Sequence, residues 1–98
     1  MNRRQPTLSE IEALLRAGQL EEAHQSLQDF VKAEPDNPQG WYLLGNLYRR
    51  QQMWGEAINA WNKAKMLDPD GPADAAIESI YNIIRFVNKD LMNPEAGA

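Results

Sequence analysis

The sequence has no cysteine and a single histidine among its 98 residues. The first absence excludes disulfides, thiol catalysis and cysteine-ligated zinc. The lone His24 has Glu21 and Glu22 in the preceding turn, but no nucleophile or second ligand at metal-binding spacing, so neither catalysis nor a metal site is expected of it. Phosphate-cradling glycine loops are missing too. Asp68-Pro69-Asp70-Gly71 lacks the further ligand positions of a calcium loop. The acidic pairs Glu10/Glu12 and Glu21/Glu22 read as solvated helix faces, and Asp36, Asp68, Asp70 and Asp74 sit near helix starts, where the dipole favours them. No enzyme activity and no cofactor are therefore expected.

Long apolar runs are also lacking. The start, Met1 to Glu10, is basic but leads into no apolar core of a signal peptide, and no later segment reads as a membrane span. A cytoplasmic location is the expectation. Positive charge is in the minority, with 10 Lys and Arg against 14 Asp and Glu and a net charge of −4. That balance argues against nucleic acid or an anionic membrane as the main partner. Ninety-eight residues suffice for one small domain with one modest core.

What is present is helical periodicity. Pro38 to Pro69 reads as two short helices folded on each other, Gln39 to about Gln51 and about Gly55 to Leu67. Trp41, Leu44, Gly45 and Tyr48 share one face of the first; Ala57, Trp61 and Ala64, with Ile58 beside them, share one face of the second. Glycine inside a helix costs about 0.5–1 kcal/mol relative to Ala. Gly45 is thus expected at a close crossing with Ala57, where the backbones approach and Trp41, Tyr48 and Trp61 fill the space on either side. Such a hairpin cannot bury its own apolar face and needs neighbours.

This stretch resembles the tetratricopeptide repeat. The family pattern of an aromatic, Leu-Gly and Tyr, then Ala, aromatic and Ala, then Pro is matched by Trp41, Leu44-Gly45, Tyr48, Ala57, Trp61, Ala64 and Pro69, with Trp54 opening the second helix. Gln52 stands where Gly is common in the turn. The preceding residues are a weaker copy. Leu14 and Tyr48, Leu20 and Trp54, Ala23 and Ala57, Leu27 and Trp61, and Pro35 and Pro69 are each 34 residues apart, which is the period of that repeat. The copy fails at the start, where Thr7, Glu10 and Ile11 take the places of Trp41, Leu44 and Gly45, so a shorter and less closely packed first helix is expected.

Taken in order, Met1 to Pro6 is expected to be a loose end. Thr7 and Glu10 form a capping box for a helix from Leu8 to about Ala17, with Leu8, Ile11, Leu14 and Leu15 as its buried stripe. Gly18 ends it in the left-handed conformation. A second helix runs to Ala33 with Ala23, Leu27, Phe30 and Val31 on its apolar face. Asn37 caps the third helix, with Pro38 in its first turn. A fifth helix is expected from Pro72 or Ala73 to about Lys89, with Ile77, Ile80, Ile84, Val87 and Leu91 along one stripe and Tyr81 and Ile83 at its edges. Ala75, Ser79 and Asn82 fall where the 34-residue period would put large, small and large residues, so this helix is expected to pack in its own register. Asn88, Asn93 and Pro94 read as stop signals.

The resemblance implies a right-handed all-α solenoid: one domain with repeat one at about 4–37, repeat two at about 38–71, a closing helix at about 72–91 and a flexible tail at 92–98. It also implies a non-catalytic protein-interaction role, with the first helix of each hairpin lining a concave surface. On that implication the partner-facing residues are Gln39, Tyr42, Asn46, Arg49 and Arg50, with Leu8, Glu12 and Leu15 beside them. The spacing of Tyr42, Asn46 and Arg49 sets them on a different face from Trp41, Leu44 and Tyr48. Cover by the fifth helix or by the N-terminal end would account for Tyr42 and the leucines equally. Some family members hold chaperone tails by their terminal carboxylate. Here only Asn46 echoes that clamp: Tyr42 stands where its Lys would be, and Ala73 and Ile77 replace the later basic pair. Such tails are not expected to bind. The alternative function is a self-associating module, a weak homodimer in place of a monomer, paired through Tyr81, Ile83 or Phe86 of the closing helix.

Overall fold

The computed structural model describes residues 6–88. Five helices follow one another: α1 Leu8–Arg16, α2 Leu20–Ala33, α3 Pro38–Arg50, α4 Trp54–Leu67 and α5 Ala73–Asn88. The described residues contain no strand. Consecutive helices pack on one another, α1 with α2, α2 with α3, α3 with α4 and α4 with α5, and α1 also touches α3. This is an all-α solenoid. Each expected helix is present, with ends within a residue or so of those read from the sequence. The expectations for Met1 to Gln5, for Lys89, Leu91, Asn93 and Pro94, and for the tail lie outside the described residues, as does the side chain of Val87.

Local signals explain the helix ends. The Thr7 hydroxyl accepts from the Glu10 amide at 3.2 Å, and the Thr7 amide donates to the Glu10 carboxylate at 2.8 Å. That reciprocal box satisfies two donors that the helix leaves free. Gly18 has φ +78°. The Gly18 amide donates to the Leu15 carbonyl and the Gln19 amide to the Leu14 carbonyl, both at 3.0 Å, which is the paired closure of a left-handed helix terminus. One repeat later the same turn is built on Gln52, at φ +61°. There the Gln52 amide donates to Arg49 and the Met53 amide to Tyr48, both at 2.9 Å. Asn37 caps α3, its side-chain oxygen accepting from the Gln39 amide at 3.0 Å.

Two clusters make the core. Ile11, Leu15, Ala23, Leu27, Phe30, Leu43, Leu44, Leu47 and Ala60 form one. Ala57, Trp61, Ala64, Ala73, Ile77 and Ile80 form the other. Trp41, Tyr42 and Tyr48 are half-buried between them and pack against both. The crossing of α3 and α4 differs from the expectation. It is the indole of Trp61 that lies on Gly45, so closely that a β-carbon there would overlap the ring. The space that glycine opens is thus filled by the facing tryptophan. The indole N–H donates to the Tyr42 carbonyl at 3.0 Å, which fixes the ring without leaving a buried donor unpaired. A second close approach, at Gly40, is additional to the sequence reading. A β-carbon at Gly40 would stand 2.7 Å from the Phe30 ring, so this glycine sets how near α3 comes to α2. Leu43 and Leu47 form a second apolar stripe on α3 and are buried in the first cluster.

In α5, Ala73, Ile77 and Ile80 are buried and Ile84 is half-buried, so the isoleucine stripe packs inward as read. Ser79 and Asn82, at the periodic positions, are exposed. Lys65 of α4 pairs with Asp74 of α5 at 3.0 Å.

Candidate partner-binding groove

The first turns of α1 and α3 and the beginning of α5 converge on one side of the molecule, joined by the end of α4 and its connector. Between them is an opening of about 440 Å³ lined by Leu8, Ser9, Glu12, Pro38, Gln39, Tyr42, Leu43, Ala64, Asp68, Gly71, Pro72 and Ala73. Its floor is apolar: Leu43, Ala64 and Ala73 are buried, and Leu8 and Tyr42 are half-buried. Its rim is polar: Ser9, Glu12, Gln39 and Asp68 are exposed. Each part has a local cause. The capping box that starts α1 and the Asn37 cap that starts α3 place Leu8 and Gln39 in first turns that line the same opening. Because Trp61 holds the Tyr42 carbonyl, the main chain behind the Tyr42 ring is fixed. Gly71 permits the tight connector, since a β-carbon there would stand 2.7 Å from the Asp68 carboxylate.

Of the partner-facing residues inferred from the sequence, Leu8, Glu12, Gln39 and Tyr42 come together around this opening. Asn46 is half-buried and Arg49 exposed, one and two turns farther along α3 and outside the lining. Two residues have different places from those inferred. Leu15 is only 8% exposed and belongs to the first core cluster, so it adds no area to a concave surface. Arg50 turns its guanidinium to the Leu15 carbonyl at the end of α1 and clasps the first hairpin to the second. An arginine reaching back to a helix C-terminus satisfies a free carbonyl and complements the dipole. Sequence reasoning missed Pro38, Leu43, Ala64, Asp68, Gly71, Pro72 and Ala73. These come from four segments that only the stacking of hairpins brings together.

His24 has a structural place. Its Nε2 lies 3.1 Å from the Gln28 amide nitrogen and 3.4 Å from the Tyr48 hydroxyl, and its ring meets the Tyr48 ring edge-on at 5.6 Å. It joins α2 to α3. Among the described residues no three His, Cys, Asp or Glu side chains gather to hold a metal ion. No helix there is long and apolar enough to cross a membrane. Trp41 likewise serves the frame: its indole N–H donates to the Pro35 carbonyl at 2.9 Å, and the Lys63 ammonium lies 5.9 Å from its ring centre.

Three comparisons bear on this arrangement. The cytochrome c-type biogenesis protein CycH of Pseudomonas aeruginosa is 38% identical over 53 residues, which is 54% of this chain and 13% of that protein. A pentatricopeptide repeat-containing protein of Arabidopsis thaliana is 30% identical over 77 residues, 78% of this chain and 14% of that one. The chain thus spans only a small part of the curated relatives it matches. A Bacteroides fragilis protein solved by solution NMR superposes with a TM-score of 0.79 at 37% identity, covering 90% of both chains. Helical hairpins repeating every 34 residues agree with the match of a tetratricopeptide repeat model to residues 8–72, and the chain belongs to the tetratricopeptide repeat family.

Proposed function

We propose that this protein is a non-catalytic binding module that holds a segment of a partner protein in the groove between α1, α3 and α5. Its family mediates protein–protein interaction in general. The observation that carries the finer reading is the groove itself. An apolar floor that includes Tyr42, with polar groups around the rim, offers burial for a side chain and hydrogen bonds for a peptide backbone. A 12-residue peptide selected from a displayed random library, titrated into isotope-labelled protein, tests it. Amide shifts gathered on Leu8, Glu12, Gln39, Tyr42 and Ala73, and abolished by Ser9→Trp at the exposed rim, are expected. Shifts confined to the outer faces of α2 and α4 would refute it.

A second reading rests on α5. Phe86 is 81% exposed and Tyr81 49%, and aromatic area of that kind marks contact surfaces. In that reading a second copy covers the end of the array. Sedimentation velocity over a wide concentration range, with Phe86→Lys alongside, separates the two. A dimer that the substitution abolishes supports the interface; one mass near 11 kDa throughout leaves the groove reading alone.

A further inference from the structure

Resting on the groove reading, we infer that the segment bound there is cationic: a stretch of protein in which Lys or Arg adjoins a bulky apolar residue. The apolar residue meets the floor of Leu43, Ala64 and Ala73. The cation meets the rim, where Glu12 and Asp68 are the only charged lining residues among those described. Both are exposed, and neither has an ion pair among the described residues. Among the described residues, Lys65 pairs with Asp74 and Lys63 lies by the Trp41 ring.

Helix N-termini favour anions, and those of α1 and α3 open onto the groove. Side chains already take part of those sites: the Thr7 hydroxyl accepts from the Glu10 amide and the Asn37 side chain from the Gln39 amide. An incoming carboxylate meets two full negative charges at the rim. An incoming ammonium or guanidinium finds two exposed acceptors, no cation lines the opening among the described residues, and the net charge of −4 favours its approach.

Selection of displayed random 12-residue peptides on the intact protein tests this, with Ser9→Trp as the blocked-groove control. The charge variant is Glu12→Lys with Asp68→Lys; both positions are exposed and unpaired, and circular dichroism checks that each variant folds. Enriched peptides should carry Lys or Arg within two positions of Leu, Phe, Ile or Met. Their affinity should fall about two- to fivefold for each of Glu12→Gln and Asp68→Asn, and weaken as salt is raised. The double Lys variant should turn the preference to Asp and Glu. Peptides that need an open groove but show no charge preference, or an acidic one such as a Glu-Glu-Val-Asp end, would overturn the inference and leave the groove reading standing. Peptides that bind equally to Ser9→Trp would overturn both.

Discussion

The two hairpins of this chain occupy the same frame with different residues. In the second, the crossing is made by Gly45 and Trp61; in the first, the positions 34 residues earlier are Ile11 and Leu27. Ile11 and Leu27 are both fully buried, as is Trp61 to within 1%. A pair of medium side chains in one hairpin thus does the work of none and a very large one in the other. What repeats is the volume between the helices, and the residue types are free to redistribute it. The first helix is shorter and less closely packed, as expected: α1 has 9 residues and α3 has 13, and α1 packs less extensively on α2 than α3 does on α4.

The strongest way to break this comparison is to exchange the pairs. Gly45→Ile alone should cost about 3 kcal/mol by forcing the indole out of place, and Trp61→Leu alone about 2–3 kcal/mol through the cavity it leaves. Made together they rebuild the first hairpin's pair, and the double variant should recover at least about 1.5 kcal/mol of the summed loss. Urea midpoints at unchanged slope give these values. Additive losses would show that the Trp61 hydrogen bond to Tyr42, which Leu27 has no means to make, matters more than volume.

A smaller effect separates Arg50 from its counterpart Arg16. Arg50 reaches the end of the preceding hairpin, whereas Arg16 is exposed and no hairpin precedes it among the described residues. Arg50→Ala should cost about 1–2 kcal/mol, and Arg16→Ala less than about 0.5 kcal/mol. Equal losses in thermal unfolding would mean that the clasp contributes nothing specific.

The turns sharpen the comparison last. Gly18 and Gln52 hold the same left-handed conformation, which a side chain disfavours by about 1 kcal/mol. Gln52→Gly should therefore stabilise by about 0.5–1 kcal/mol and Gly18→Gln destabilise by a similar amount. Opposite signs in a pair of melting curves are the expected result.

These particulars also show what a single sequence discloses. The helices, the caps at Thr7 and Asn37, the left-handed turn at Gly18 and the inward face of α5 rest on residues close in the chain, so local chemistry was enough to read them. Gly40, Leu43 and Leu47 were not read, because their partners lie on a neighbouring hairpin and their spacing overlaps that of the Trp41, Leu44 and Tyr48 face. The groove was half legible. Leu8, Glu12, Gln39 and Tyr42 follow from helical position, whereas Asp68, Gly71 and Pro72 enter through the rotation of α5 on α4, which no residue spacing encodes. Leu15 and Arg50 were misplaced for a related reason: helical phase gives a direction but not the neighbour standing there.

All three tryptophans, Trp41, Trp54 and Trp61, belong to α3 and α4. Tryptophan fluorescence therefore reports from α3 and α4, while far-ultraviolet dichroism sums over every helix. In an array whose units touch only their neighbours, cooperativity is a property of the interfaces rather than a given. Superimposable unfolding curves from the two signals would mean that the Arg50 clasp and the Gly40 contact bind the hairpins into one melting unit. An earlier dichroism transition would mean that the ends open first and leave the tryptophan-rich centre as the last folded part of the chain.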